Sequence, residues 1–159
     1  MKKKNPLTHK ITKNIAAQIK KIINGSYQQA ALGTIDNSGI PMVTKVIPMS
    51  YNNEIYLLIS DLSEHTKNLN QNPNASIYFA LEETHKIRSN NPRLSLQGVF
   101  RKVQLKKDDP KFQMLLNNYN KIETGSKMWG MFTDFNFYVF TEHKKIFVEG
   151  FGKAYQENV

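Results

Sequence analysis

Hydrophobic positions near the beginning of the chain recur at intervals of three and four residues. They are all isoleucines with lysines standing between them, and they comprise Ile11, Ile15, Ile19, Ile22 and Ile23. This spacing places the isoleucines on one face of a helix and the lysines on the opposite face. Gly25 follows, and glycine is the residue that most often ends a helix. The pattern therefore predicts an amphipathic helix over residues 11–23.

After Gly25 the pattern changes to short apolar runs separated by turn residues. Pro41 and Pro48 fall at the ends of the second run, where a strand tolerates proline, and Gly98 predicts a bulge in the fifth. A polar triplet, 142–144, separates the last two runs. The runs predict seven strands, over residues 27–35, 40–49, 54–60, 75–81, 93–105, 136–141 and 145–148.

Single helices interrupt these strands. They are predicted over residues 63–71, from Asp108 onward, and over 126–132. Many short strands broken by single helices favour an antiparallel barrel with helices at its edges. A doubly wound βαβ fold is excluded, because three strands precede the first connecting helix. Gly150-Phe151-Gly152 is not a dinucleotide loop, since no helix follows it.

The segment from Leu58 to Asn72-Pro73 carries the clearest chemistry. It predicts a buried strand that turns into a short helix with Ser63 as N-cap. Hydroxyl, imidazole and ammonium groups then gather where the unpaired N–H groups and the helix dipole favour a phosphate. The polar side chains concerned are Ser60, Ser63, His65, Thr66 and Lys67. An ordinary capped connecting helix is the alternative interpretation.

Composition narrows the function classes. The 159 residues suit one domain, and the absence of cysteine excludes disulfides, zinc–thiolate sites and a cysteine nucleophile. No metal site is expected. The net charge is +9, and residues 1–35 hold seven lysines and no acid. Because this basic region lacks arginine and interleaved aromatics, a solvated tail and helix face is favoured over a nucleic-acid or membrane surface. Without a signal peptide or a long apolar run, we expect a cytoplasmic protein.

Several segments together resemble a known superfamily. They are residues 31–36 with Gly39-Ile40-Pro41, residues 60–73 with Ala75-Ser76-Ile77, residues 94–98, residues 135–140, and residues 150–155. In order and spacing they resemble the split-barrel flavoproteins of the pyridoxamine phosphate oxidase-like superfamily. The haem-utilisation branch, whose members bind and degrade haem, is the most similar branch. The resemblance covers residues 10–157.

The resemblance implies a six-stranded antiparallel split barrel, mainly β with flanking helices. It forms one domain over residues 10–159, after a basic arm over residues 1–9. It also implies a homodimer with ligand sites at the subunit interface. In flavin-binding members, the strand matching Thr44, Lys45, Val46 and Ile47 lies along the isoalloxazine ring of FMN. The segment matching 60–67 holds the phosphate, and Arg93 would lie near the flavin edge.

The chain also departs from the family patterns. The phosphate-binding Ser-Arg-Lys of the oxidase is replaced by Ser63-Glu64-His65, and Glu64 would repel a phosphate if it faced inward. Asp134 matches an aspartate of the haem branch, but the C-terminal histidine that ligates haem iron in that branch has no counterpart before Val159. Weak haem binding is therefore expected.

The function expected from the resemblance is that of an FMN-binding oxidoreductase with a small-molecule substrate. Two alternatives stand beside it: a haem-binding or haem-degrading protein, and a non-enzymatic ligand-binding module. No Ser/His/Asp triad or carboxylate pair supports a hydrolase.

Overall fold

Nine strands and four α-helices make up the computed structural model, which describes residues 8–159. The strands are β1 His9–Lys10, β2 Gln29–Ile35, β3 Pro41–Val46, β4 Met49–Tyr51, β5 Glu54–Ser60, β6 Asn74–Ala80, β7 Arg93–Lys102, β8 Phe135–Gly150 and β9 Lys153–Asn158. The helices are α1 Lys13–Ile23, α2 Glu64–Gln71, α3 Pro110–Tyr119 and α4 Ser126–Trp129. A single 3₁₀ turn spans Arg88–Asn90 in the polar loop before β7. No helix within residues 8–159 is long and apolar enough to cross a membrane.

The strands form one sheet in the order β1-β9-β8-β7-β6-β2-β3, with β5 pairing both β8 and β4. Every pairing is antiparallel except the short parallel contact between β1 and β9. The long strand β8 pairs with β5 through residues 135–140 and with β9 through residues 144–150. The barrel is therefore split between the free edge of β3 and the β4–β5 hairpin. The predicted split-barrel fold class is confirmed, although the sheet has nine strands and not six.

The prediction of two separate strands over 136–141 and 145–148 is wrong, because β8 is continuous. His143 is the extra residue of a bulge: Gln97 pairs with Lys144 and Gly98 pairs with Glu142. The polar triplet therefore stays inside the ladder. Lys145 adds ion pairs, its Nζ lying 3.0 Å from Glu142 Oε1 and 3.2 Å from Glu157 Oε2 on β9.

The predicted strand over 40–49 is also divided. Proline has no N–H for a sheet ladder, and the chain leaves the sheet at Ile47-Pro48 before β4 begins. Asn52 and Asn53 then adopt positive φ angles of 50° and 63° to close the β4–β5 hairpin. Asparagine tolerates this conformation better than most residues.

Two hydrophobic clusters fill the interior. The larger lies between the sheet and the helices α1 and α2, and α1 contributes Ile15, Ile19 and Ile22, each at most 4% exposed. The smaller cluster packs α3 on β5 and β8 through Phe112, Leu115, Leu116 and Tyr119. The predicted isoleucine face of α1 is thus buried. The second cluster fixes α3 beside the split, where the candidate site lies.

Candidate functional site

A cavity of about 330 Å³ lies at the split, between the end of β3 and the strand β5. Six of the ten predicted ligand-binding residues line it: Lys45, Val46, Ile47, Ser60, Ser63 and His65. The structure therefore brings the β3 segment and the start of α2 together at one cavity. The remaining lining comes from β5, from the last residue of α3 and from the residues that follow it, namely Leu58, Ile59, Tyr119, Glu123, Trp129 and Phe135.

The free edge of β3 forms one wall of this region. Among the described strands β3 pairs only with β2, so alternate N–H and C=O groups along its other edge have no strand partner. The segment after β3 is fixed in place by Tyr119, whose hydroxyl donates to the carbonyl oxygen of Ile47 at 2.8 Å. Burial raises the pKa of Tyr119, so this hydroxyl keeps its proton and remains a donor.

Thr44 and His65 connect β3 to the first turn of α2. Thr44 Oγ1 lies 3.1 Å from His65 Nδ1. His65 Nε2 is buried and has no hydrogen-bond partner, and burial lowers the pKa of His65. The imidazole is therefore neutral at pH 7. The neighbouring Thr66 is fully buried, and its Oγ1 also has no partner.

Ser60 and Ser63 both line the cavity, with different hydrogen bonding. The Ser60 hydroxyl donates to Asp134 Oδ2 at 2.5 Å and accepts the N–H of Leu62 at 3.1 Å. Ser63 occupies the N-cap position as predicted, yet its side chain makes no capping hydrogen bond. Its backbone carbonyl instead accepts the N–H groups of Thr66 and Lys67. The Ser63 hydroxyl is the less committed of the two.

Lys67 and Arg93 do not line this cavity. Lys67 Nζ lies 2.5 Å from Glu64 Oε1, and both side chains are more than half exposed. Glu64 therefore faces solvent rather than the cavity. Arg93, on β7, donates to the carbonyl oxygens of Ser89 and Asn91 at 3.3 Å. Neither residue is therefore in the cavity that the six predicted residues line.

The aromatic and acidic part of the lining comes from a distant part of the sequence. The rings of Trp129 and Phe135 lie 4.7 Å apart between centroids, and Trp129 meets Tyr119 edge-on at 6.4 Å. Glu123 adds a carboxylate to the same cavity. None of these aromatic and acidic residues was among the predicted ligand-binding residues. The positions of Tyr119 and Glu123 follow from the packing of α3, which no local pattern reveals.

A second, larger depression of about 470 Å³ lies on the outer face of the sheet. It crosses β2, β3, β6, β7 and β8 and includes the bulge residue His143. Val43, at its β3 side, is 72% exposed. Exposed apolar side chains and small residues such as Gly33 and Ala75 therefore share this outer face.

The model of the CREG β-barrel family matches residues 12–158. This protein belongs to the CREG β-barrel family. The predicted resemblance to pyridoxamine phosphate oxidase-like split barrels is thereby confirmed. No curated protein is significantly similar to the chain.

Solved structures share the fold of this CREG β-barrel protein. ChuZ from Campylobacter jejuni is 25% identical, with a TM-score of 0.79 over 94% of this chain and 61% of its own. A haem-binding protein from Mycobacterium smegmatis is 21% identical, with a TM-score of 0.78 over 93% of this chain and 60% of its own. The chain therefore spans about three fifths of these two relatives.

A third structure represents the oxidase side of the superfamily. It is a protein related to general stress protein 26, of the pyridoxinephosphate oxidase family, from Clostridium acetobutylicum. It is 15% identical, with a TM-score of 0.69 over 94% of this chain and 97% of its own. The fold of the CREG β-barrel protein is thus shared by a haem-binding protein and by a protein of the pyridoxinephosphate oxidase family.

Proposed function

We propose that the protein binds FMN in the cavity at the split and is an FMN-dependent oxidoreductase acting on a small organic molecule. One observation carries this proposal: the free edge of β3 and the start of α2 meet in a single cavity. A flavin offers a hydrogen-bonding ring edge, a flat apolar ring and a phosphate. The cavity offers groups that match each of these three parts.

The residues present fit such a ligand. Unpaired backbone groups along β3 match the donors and acceptors of the ring edge, and Ile47, Trp129 and Phe135 provide apolar surface for the ring. Lys45 and the Ser63 hydroxyl provide donors for the phosphate. The cavity volume of about 330 Å³ falls within the range of small-molecule sites. Bound FMN would supply the redox chemistry, and these residues would bind and orient it.

We further propose a homodimer that pairs through the outer sheet face. A two-fold interface uses the same surface of both subunits, and the exposed Val43 with the small residues around it provides such a surface. Lys45, which lines the cavity, lies on the same strand as Val43. A second subunit on this face would therefore also approach the cavity. Residues outside the cavity of one subunit, such as Arg93, would then be able to contact a ligand in the cavity of the partner subunit.

Haem is the second candidate ligand, and two observations favour it. The Mycobacterium smegmatis structure of the same fold is a haem-binding protein. In addition, His65 lines the cavity and its Nε2 has no hydrogen-bond partner. The other described histidines lie elsewhere: His9 packs near Tyr155, His85 Nδ1 accepts the N–H of Ile87, and His143 is exposed on β8.

An absorption spectrum of the purified protein, before and after incubation with FMN or haemin, tests both candidates. Bound flavin absorbs near ~450 nm, and bound haem gives a Soret band near ~400 nm, because the cofactor is the chromophore in each case. We expect saturable FMN binding with one FMN per chain. Tight haem binding with no FMN binding would favour the second candidate. Binding of neither would favour a non-enzymatic ligand-binding module.

A further inference from the structure

We propose that Lys107, in the turn before α3, is a positioning residue that holds the aromatic wall of the cavity in place for the flat ring of a ligand. The aromatic wall consists of Trp129 and Phe135, whose ring centroids lie 4.7 Å apart. The inference rests on the proposed function, since it concerns the same cavity. The two wall residues stand at the ends of one short turn, residues 130–134, and Lys107 binds the backbone at both ends of that turn.

The ammonium group of Lys107 joins these two ends. Lys107 Nζ donates to the carbonyl oxygen of Gly130 at 2.8 Å and also to the carbonyl oxygen of Phe135. Gly130 directly follows Trp129 in the chain, and Phe135 is itself a wall residue. Lys107 therefore fixes the backbone beside both rings, although its own side chain does not line the cavity.

The bond to Phe135 takes the place of a missing sheet contact. The N–H of Val103 donates to the carbonyl oxygen of Phe137 at 2.8 Å, just after β7 ends. Alternate carbonyls of a strand point to the same edge, so the carbonyl of Phe135 faces the same side as that of Phe137. Continued register would place Leu105 opposite Phe135, but the N–H of Leu105 donates to Val103 instead, at 3.0 Å. The ammonium group of Lys107 supplies the donor that the strand no longer provides.

Lys107 is in turn held by α3. Its Nζ lies 4.3 Å from the centroid of the Phe112 ring, and its backbone carbonyl accepts the side-chain amide of Gln113 at 2.6 Å. None of the ion pairs within residues 8–159 includes Lys107, and burial lowers its pKa. A half-buried cation without a carboxylate partner costs free energy unless it is hydrogen-bonded. The two carbonyls and the ring therefore define the position of this ammonium group.

The other side of the turn is closed by packing. A Cβ atom at Gly130 would lie 2.6 Å from Leu116 Cδ1 and 3.0 Å from Leu58 Cδ2, so the turn lies directly against α3 and β5. Packing on one side and the ammonium group on the other leave the aromatic wall preformed. Aromatic side chains stack on flat rings, and a preformed wall binds such a ring without first being ordered.

The first arm of the test uses the full chain without ligand. Trp129 is the only tryptophan, so tryptophan emission reports on the aromatic wall alone. Lys107→Met keeps an apolar stem of similar length but removes the donors. We expect its Trp129 to emit at longer wavelength and to be quenched more strongly by acrylamide. Lys102→Met is the matched control, because Lys102 is also half-buried but pairs with Asp61, at 3.3 Å.

The second arm measures flavin binding. We expect Lys107→Met to weaken FMN and riboflavin binding by the same factor, about 3- to 10-fold, because the wall would contact the ring that both flavins share. Lys102→Met is expected to bind both flavins as the wild type does. Flavin fluorescence quenching measures the affinities, and thermal unfolding shows whether each variant is folded. If Lys107→Met does not fold, Lys107→Gln, which carries an amide donor on a shorter chain, takes its place with the same expected directions.

The outcomes separate this inference from the proposed function. Unchanged Trp129 emission in Lys107→Met, or an equal change in Lys102→Met, would show that Lys107 does not position the wall. Changed emission with unchanged flavin affinity, or with a loss confined to FMN, would show that the wall does not bind the ring. In each of these cases the inference is wrong while the proposed function stands. If the wild-type protein binds neither flavin, the proposed function fails and the role of Lys107 toward a ligand fails with it, whereas Trp129 emission still decides whether Lys107 fixes the wall.

Discussion

Thr44 Oγ1 lies 3.1 Å from His65 Nδ1, so one hydrogen bond joins the edge strand β3 to the first turn of α2. The two residues are twenty-one positions apart and belong to the two sequence segments that the resemblance assigned to the flavin ring and the phosphate. Their contact fixes the spacing between those two walls of the cavity. The pair therefore contributes both to stability and to the shape of the site.

Replacing Thr44 with valine tests the contribution of this hydrogen bond to stability. Valine keeps the shape of threonine but leaves His65 Nδ1 without a partner. We expect the free energy of unfolding to fall by about 1 kcal/mol, the usual net value for such a bond. Urea denaturation measures the change, with Thr133→Val, at an exposed position, as the control. Equal stability of Thr44→Val and wild type would show that the contact contributes nothing.

The pH dependence of stability should report on His65. Burial lowers the pKa of His65 below its ordinary value of 6.5, so the unfolded chain takes up a proton there before the folded protein does. The contribution of His65 to stability is therefore complete above pH 6.5 and is lost as the pH falls toward the folded-state pKa. The two charged side chains that line the cavity together with His65 are Glu123 and Lys45, and they carry opposite charges.

When the pH is lowered from about 7.5 to about 5.5, we expect the free energy of unfolding of His65→Gln to fall by less than that of the wild-type protein. Urea denaturation at the two pH values measures the difference. NMR titration of the His65 ring in the wild-type protein gives an independent check. A titration midpoint above 6.5 would contradict the prediction.

Gly98 should not tolerate a side chain. A Cβ atom there would lie 2.0 Å from the carbonyl oxygen of Thr141 and 2.9 Å from Cζ of Phe140, so the β7–β8 ladder would have to open. We expect Gly98→Ala to lower the free energy of unfolding by about 3 kcal/mol. Gly39→Ala is the control, because Gly39 has a φ of +80° but open space around it. In Gly39→Ala the backbone strain alone costs about 1–2 kcal/mol. Gly98→Ala is expected to lose more stability than this control, so an equal loss in both variants would contradict the prediction.

The proposed homodimer should have a mass of about 37 kDa, twice the 18.3 kDa of one chain. Val43→Asp places a charge on the outer sheet face and should shift the protein toward monomer. Phe151→Asp is the control, because Phe151 is even more exposed, at 83%, but lies in the turn between β8 and β9. Light scattering at micromolar concentration measures both. A monomeric wild-type protein would contradict the dimer, and dissociation by Phe151→Asp alone would contradict the proposed interface.

Much of the fold could be predicted from local patterns, because local patterns record which side chains are buried. The isoleucine spacing of α1 is confirmed. The ladder does shift its register at Gly98, but the extra residue of the bulge is His143 on β8 and not a residue of β7. The continuity of β8 was missed because Glu142, His143 and Lys144 have the polarity of a turn. Ion pairs and a bulge keep them in the ladder, and both depend on distant strands. The polar strand β9 was missed for a related reason, since Gln156, Glu157 and Asn158 are exposed and leave no apolar pattern.

In the candidate site, too, the features set by local sequence could be predicted and those set by distant contacts could not. Sequence placed Ser63 and His65 at the start of a helix, and the structure brings both to the cavity. It could not show that Lys67 turns outward to Glu64, because the direction of a side chain depends on the packing of the helix. Nor could it place Glu123 in the same cavity as Lys45, because Glu123 follows α3, whose position depends on its packing against β5 and β8. Those contacts join segments that are far apart in the chain.

The position of β8 at the centre of the sheet has a consequence for synthesis of the protein. Both β5 and β7 pair with β8, whose residues 135–150 leave the ribosome after either of them. Until then the nascent chain presents unpaired strand edges together with the apolar faces of β5 and β7. Such edges are the segments through which incomplete chains associate. Closure of the barrel therefore occurs late, and a pause in translation before residue 150 would prolong the interval in which chaperones must cover the chain.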